Sequence, residues 1–162
     1  MLLHAKGNLI DMAEAGDFTV IVHGCNCQNV MGSGIAAEIK RRYPRAYQAD
    51  QLATQTWRNP VSKLGNFSSY AVHKSPHHFI IINAYTQIHY LPRGVDHFEY
   101  ESFYLILRKL EALASDDVKF GFPYIGMGLA GGDPDRIIPM IENFADTISE
   151  SGSSVTLVEF GS

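Results

Sequence analysis

The sequence predicts an α/β fold, a β-sheet with helices packed on both of its faces, and three observations carry that expectation. Short apolar runs rich in β-branched residues recur at Val20-Ile21-Val22, at His78-Phe79-Ile80-Ile81-Ile82 and at Val155-Thr156-Leu157-Val158. Between them, apolar residues recur at helical spacing, first as Phe103, Leu107, Leu110 and Leu113 and then as Ile137, Ile141, Phe144 and Ile148. The runs near Val20 and Val155 are apolar at successive positions, as in strands covered on both faces. Strands alternating with helices in this way close into layers rather than a sandwich or a bundle.

Taken in order, residues 2–5 give a weak strand signal, and residues 20–22 a strong one. Residues 34–42 and 44–55 read as helices. Residues 69–72 give a weak strand signal, and His77-His78 is read as the entry to the strand at 78–82. The polar stretch 89–97, with Pro92 and Gly94 inside it, is expected to be a mobile loop. After the helix carrying Phe103 to Leu113, residues 118–122 give another weak strand. Asp133-Pro134 then makes a good N-cap followed by proline at the first helical position. Pro139 opposes that start, because it would lose a bond to residue 135. Starting the helix at Asp135 instead would free Asp133 for the preceding loop, and both versions remain open. With no repeat, linker or low-complexity tract, residues 1–162 are expected to form one domain.

Composition narrows the function. Hydrophobic residues are 46% and charged residues 19% of the 162, which is globular composition. The net charge of −4 argues against broad binding to a nucleic-acid backbone, which needs a clustered cationic face. The densest basic run, Lys40-Arg41-Arg42 with Arg45, is short and offset by Glu38 and Asp50. No stretch approaches the roughly 20 apolar residues that span a bilayer, and residues 1–6 lack a signal-peptide core. Cys25 and Cys27 are too close for an ordinary structural disulfide and suit a reducing compartment. A cytoplasmic location without membrane contact is therefore expected, and an anionic ligand would have to be held without a large positive field.

Two loops carry that possibility. His23-Gly24-Cys25-Asn26-Cys27-Gln28-Asn29-Val30-Met31-Gly32-Ser33-Gly34-Ile35-Ala36 leaves a buried strand and enters a helix. Such a junction aims unpaired N–H groups and the positive end of a helix dipole at one point, where an anion fits without any lysine. Ser33 would cap the helix or add a donor. The second loop, Gly121-Phe122-Pro123-Tyr124-Ile125-Gly126-Met127-Gly128-Leu129-Ala130-Gly131-Gly132-Asp133, also lies between a strand signal and a helix. Ligands of open α/β sheets sit outside the carboxyl ends of the strands, so the two loops together would grip a diphosphate.

Other chemistries fit less well. A triphosphate loop of the form Gly-x-x-x-x-Gly-Lys-Ser/Thr is missing from the sequence, and Gly32-Ser33-Gly34 falls too far after its strand for a dinucleotide fingerprint. His23, Cys25 and Cys27 do not have zinc spacing, so no metal is expected. The cysteines read as small packed hydrophobes. His23, at the expected strand end, is either a general base or a hydrogen-bonded histidine beneath the loop. Asn26 is either a sugar-binding amide or a turn residue.

The segment from Val22 to Ala36 resembles the first ligand loop of macro domains, and Pro123 to Asp133 resembles their second. Lys6-Gly7-Asn8-Leu9 resembles the family's adenine-contacting segment, although many members carry aspartate where Asn8 stands. The resemblance spans nearly the whole chain. It implies a three-layer αβα fold around a mixed β-sheet, with a small-molecule ADP-ribose derivative as partner. By the same resemblance Asn8 and Leu9 meet the adenine and Phe160 stacks on it. Gly32, Ser33, Gly34 and Ile35, with Gly126, Met127, Gly128 and Leu129, wrap the diphosphate and the distal ribose, which Asn26 orients.

His23-Gly24-Cys25-Asn26-Cys27 is most similar to the branch that includes ADP-ribose 1″-phosphate phosphatases. That branch implies a phosphoric monoester hydrolase with no cofactor, releasing phosphate from ADP-ribose 1″-phosphate. His23 would attack phosphorus or activate water, Asn26 would position the ribose, and Asp133 would assist as acid or base. A related branch uses a lysine and a loop aspartate, but Asn83-Ala84-Tyr85-Thr86-Gln87 has no lysine and Ala130 replaces the aspartate. The alternatives are a mono-ADP-ribosyl glycohydrolase acting on a modified macromolecule and a non-catalytic ADP-ribose reader.

Overall fold

The computed structural model describes residues 1–92 and 95–161. In chain order the elements are β1 (Leu2–Gly7), α1 (Leu9–Glu14), β2 (Val20–Asn26), α2 (Gly34–Arg42), α3 (Pro44–Thr56), α4 (Pro60–Lys63), β3 (Phe67–Lys74), β4 (His77–Gln87), α5 (Tyr100–Leu110), β5 (Lys119–Phe122), α6 (Pro134–Thr147) and β6 (Ser154–Phe160). The six strands form one sheet in the order β1-β6-β5-β2-β4-β3. Neighbours are parallel except β3 against β4, so the sheet is mixed.

Period-two alternation divides the buried side chains between two layers. Val20, Val22, Phe120, Phe122, Val155 and Leu157 point to one face, where Phe103, Ile106 and Leu107 of α5 and Ile137, Ile141 and Phe144 of α6 cover them. Phe144 meets Phe120 and Phe122 edge-on at centroid distances of 5.3 and 5.9 Å. Such aromatic pairs add about 1 kcal/mol each beyond area burial. Ile21, Phe79 and Ile81 point the other way, under Leu9 and Ile10 of α1, Ile39 of α2 and Ala46 of α3. The expected three-layer αβα arrangement is therefore present.

The strands at 20–22 and 78–82 are longer than their apolar runs predict. β2 continues through His23-Gly24-Cys25-Asn26 because β4 pairs with it throughout, His23 opposite Asn83 and Cys25 opposite Tyr85. Beyond it, the Cys27 N–H donates to the Ile88 carbonyl. Tertiary pairing thus holds polar residues in strand geometry that periodicity assigns to a loop. The short helices α1 and α4 escaped the sequence reading. Asn8 starts the first, its Oδ1 accepting the N–H of Ile10 and of Asp11 at 3.0 Å each.

α6 begins at Pro134, with Pro139 inside it. Asp133 is its N-cap, Oδ1 accepting the Asp135 N–H at 2.9 Å. The interior proline is accommodated on the exposed side, where solvent can satisfy the carbonyl it leaves unpaired. The described part of segment 89–97 forms no helix or strand, while Arg93 and Gly94 lie outside the described residues. None of the described helices is long and apolar enough to cross a membrane.

Candidate ligand-binding site

β1, β6, β5, β2 and β4 run parallel, so their carboxyl ends share one edge, and a cleft with two lobes opens there. The first lobe, about 670 Å³, lies between the end of β1, the start of α1 and the end of β6. Asn8, Leu9 and Phe160 line it, with Gly7, Ile10 and Val158 beside them. Phe160 is 83% exposed, its ring unburied at the rim. This end is chiefly apolar, as a pocket for a flat heterocycle should be.

The second lobe, about 250 Å³, lies between the two glycine loops. Asn26, Gly32, Ser33, Gly126 and Leu129 line it, together with Gln87 and Tyr90 from the β4 side. Gly34, Ile35, Pro123, Tyr124 and Gly128 belong to both lobes and join them. Ser33 stands at the N-cap position of α2 without using its side chain as a cap, so its hydroxyl stays available to the cleft. Gly126 has φ +74°, and a Cβ there would sit 2.2 Å from the Phe98 ring, so only glycine gives the second loop this path.

Asn26 is both lining and brace. Its Nδ2 donates to the Val30 carbonyl at 2.8 Å, and its Oδ1 accepts the N–H of Gln28 at 2.9 Å and of Val30 at 3.3 Å. One amide hydrogen remains for a ligand hydroxyl.

The other two residues expected to do chemistry are not brought to the cleft. His23 lies inside β2 rather than at its end, 1% exposed, on the face covered by α2 and α3. Its Nε2 lies 2.7 Å from Asn83 Oδ1. Asn83 Nδ2 is spent on the Ala46 carbonyl and Ser68 Oγ, which fixes the amide orientation and makes His23 Nε2–H the donor. Burial pushes the imidazole below its usual 6.5, although Asn83 and Asp50 partly oppose this. Asp133 is exposed at the α6 cap and lines neither lobe. The Met127 side chain packs against the α5–α6 core instead of the ligand space.

Cys25 and Cys27 pack with Met31, Ala53 and Tyr85. Burial raises the Cys25 thiol well above its ordinary value and Cys27 to about 11. Both are therefore protonated at neutral pH and poor nucleophiles. Among the described residues no group of three or more His, Cys, Asp or Glu side chains is placed to hold a metal ion.

The sequence reading missed the most unusual side chain near the site. Lys63 at the end of α4 is 0% exposed and ion-paired to Asp50 at 2.9 Å. Its only signal in the sequence is a lysine after Asn-Pro, which resembles any surface turn.

A mixed sheet between two helical layers, with a two-lobed cleft at the parallel strand ends and glycine loops on its floor, defines a three-layer α/β domain. The chain belongs to the macro domain family, whose model matches residues 22–141. It is 32% identical to the uncharacterized 17.5 kDa protein of the tk-vs intergenic region of Enterobacteria phage T4, over 90% of this chain and 88% of that one. A 48-residue stretch is 45% identical to an ADP-ribose 1″-phosphate phosphatase of Ajellomyces capsulatus, covering 30% of this chain and 18% of that protein. Among solved structures, Thermosipho africanus DarTG in complex with ADP-ribose matches at TM-score 0.71 and 17% identity, over 91% of this chain and 39% of that one.

Proposed function

We propose that the protein binds ADP-ribose and hydrolyses ADP-ribose 1″-phosphate to ADP-ribose and phosphate. The observation that carries the reading is the continuous two-lobed cleft, apolar at the β1/β6 end and floored by both glycine loops at the other. In this reading the adenine lies against Leu9 and Phe160 beside Asn8, and the diphosphate crosses between Gly34 and Gly128. The distal ribose enters the second lobe at Asn26. The phosphatase name of partial relatives supports the choice of substrate.

In this reading the chemistry rests on backbone donors rather than on a side-chain nucleophile. Loop N–H groups and the N-terminus of α2 offset charge as a water oxygen bonds to phosphorus and the bond from phosphorus to the ribose oxygen breaks. The water proton ends on the departing oxygen. His23 supports the strand beneath, since its donor is committed to Asn83 and its imidazole is neutral at pH 7. A second reading, a non-catalytic ADP-ribose reader, is favoured by the distal lining, which among the described residues carries no carboxylate, histidine or lysine.

Phosphate release from ADP-ribose 1″-phosphate, in chelator, is the test. Wild type and His23→Gln, whose amide can still donate to Asn83, should both turn over. Loss of release in His23→Gln with ADP-ribose binding intact would restore a chemical role for His23. Binding without release by the wild type would leave the reader, or a glycohydrolase acting on a larger substrate.

A further inference from the structure

Lys63 spends all three ammonium hydrogens inside the protein. Nζ donates to Asp50 Oδ1 at 2.9 Å, to Thr54 Oγ1 at 3.0 Å and to Asn29 Oδ1 at 2.9 Å. It also lies 4.3 Å from the centroid of the Tyr85 ring. A buried ammonium persists only where such partners replace its water.

The third partner connects this core to the cleft. Asn29 lies in the loop between Asn26 and Gly34 and has φ +61°, one of two non-glycine residues in that region among those described. Its carbonyl accepts the Tyr47 hydroxyl at 3.1 Å. A left-handed asparagine persists where its surroundings over-determine it. On the sheet side, Asp50 Oδ1 also accepts the Tyr85 hydroxyl at 2.8 Å, and Ser68, Asn83 and His23 continue the chain of hydrogen bonds through β3, β4 and β2. Through Lys63 and Asp50, with Thr54 Oγ1 as a second donor to Asn29 Oδ1, the Asn29 side chain of this loop is joined to the three strands beneath it.

We propose that Lys63 is a positioning residue for the distal lobe: its ammonium holds Asn29, and through it the loop from Asn26 to Gly34, in the geometry that receives the distal half of the ligand. The ligand half of this statement rests on the ADP-ribose reading. Lys63 never meets the ligand. It acts by keeping the loop's donors in place before binding, so that their ordering is not a cost of binding.

The test separates the lobes. Asn29→Gly keeps the left-handed backbone and the Lys63–Asp50 pair but removes the tether, and Asn29→Asp restores an acceptor. Calorimetry with ADP-ribose and with AMP, which fills only the first lobe, is run beside amide exchange in ligand-free protein. Asn29→Gly should bind ADP-ribose about tenfold more weakly and AMP as wild type does. It should also exchange the Gln28 and Val30 amides faster, while Asn29→Asp returns toward wild type in all three. Lys63→Met should give the same split with a lower Tm. Equal weakening of AMP and ADP-ribose, or unchanged exchange at Gln28 and Val30, overturns the proposal. A wild type that binds no ADP-ribose overturns the ligand reading, and the tether then stands or falls on exchange alone.

Discussion

The two lobes of the cleft are built by opposite means. The lobe at β1 and β6 is made of elements the sheet fixes directly: Leu9 is buried in the core and Phe160 ends a strand paired along its length with β1. The lobe between the glycine loops is lined by loop residues together with the ends of β2, β4 and α2, and side-chain hydrogen bonds hold its first loop: Asn26 to Gln28 and Val30, and Lys63 to Asn29. The first should supply affinity through apolar contact and stacking. The second should supply orientation through donors whose geometry is set elsewhere. Damage to the first lobe should weaken every adenine-bearing ligand alike, whereas damage to the second should tell short ligands from long ones.

The largest effect should come from Gly126→Ala. The added methyl meets Phe98 and the backbone stays at positive φ, so stability should fall by about 3 kcal/mol. Chemical denaturation checks this, and calorimetry on the folded fraction should show ADP-ribose losing more affinity than AMP. Equal losses would mean that the second loop also shapes the base lobe. Next is Phe160→Ala, which removes one stacking face and should weaken AMP and ADP-ribose equally, by about tenfold. A loss confined to ADP-ribose would move Phe160 out of the base lobe.

The smallest effect is on pH dependence. Burial holds His23 below its ordinary 6.5 in the folded protein, so the unfolded chain takes up that proton first as pH falls. Stability from this group is complete above 6.5 and declines below it. The Tm of wild type should therefore drop more between pH 7 and pH 5 than that of His23→Gln. Equal drops would mean that His23 is not held neutral by the fold.

Much of the fold was legible because apolar periodicity reports the faces that core burial selects. The helices carrying Phe103 to Leu110 and Ile137 to Phe144 and the alternation of strands and helices both follow from it. The two glycine loops were legible because residue type and chain order carry them, whereas Asn8, Leu9 and Phe160, which line the first lobe, came only from the resemblance to macro domains. What could not be read was direction. His23, Gly24, Cys25 and Asn26 read as a loop because no local pattern shows that β4 pairs with them. Strand alternation puts His23 on the buried face, and after the register shift between Cys25 and Asn26 the Asn26 side chain lines the distal lobe. Lys63 was opaque for a related reason: its burial depends on Asp50 and Asn29, 13 and 34 residues away in sequence.

The pairing of β1 with β6, Leu2 opposite Val155 and Gly7 opposite Phe160, joins the first strand of the chain to the last. Contacts of such sequence separation form late and slowly. During synthesis both glycine loops are made before β6, the strand that completes the β1/β6 lobe. The β1/β6 lobe of the cleft is thus complete only when β6 has docked against β1.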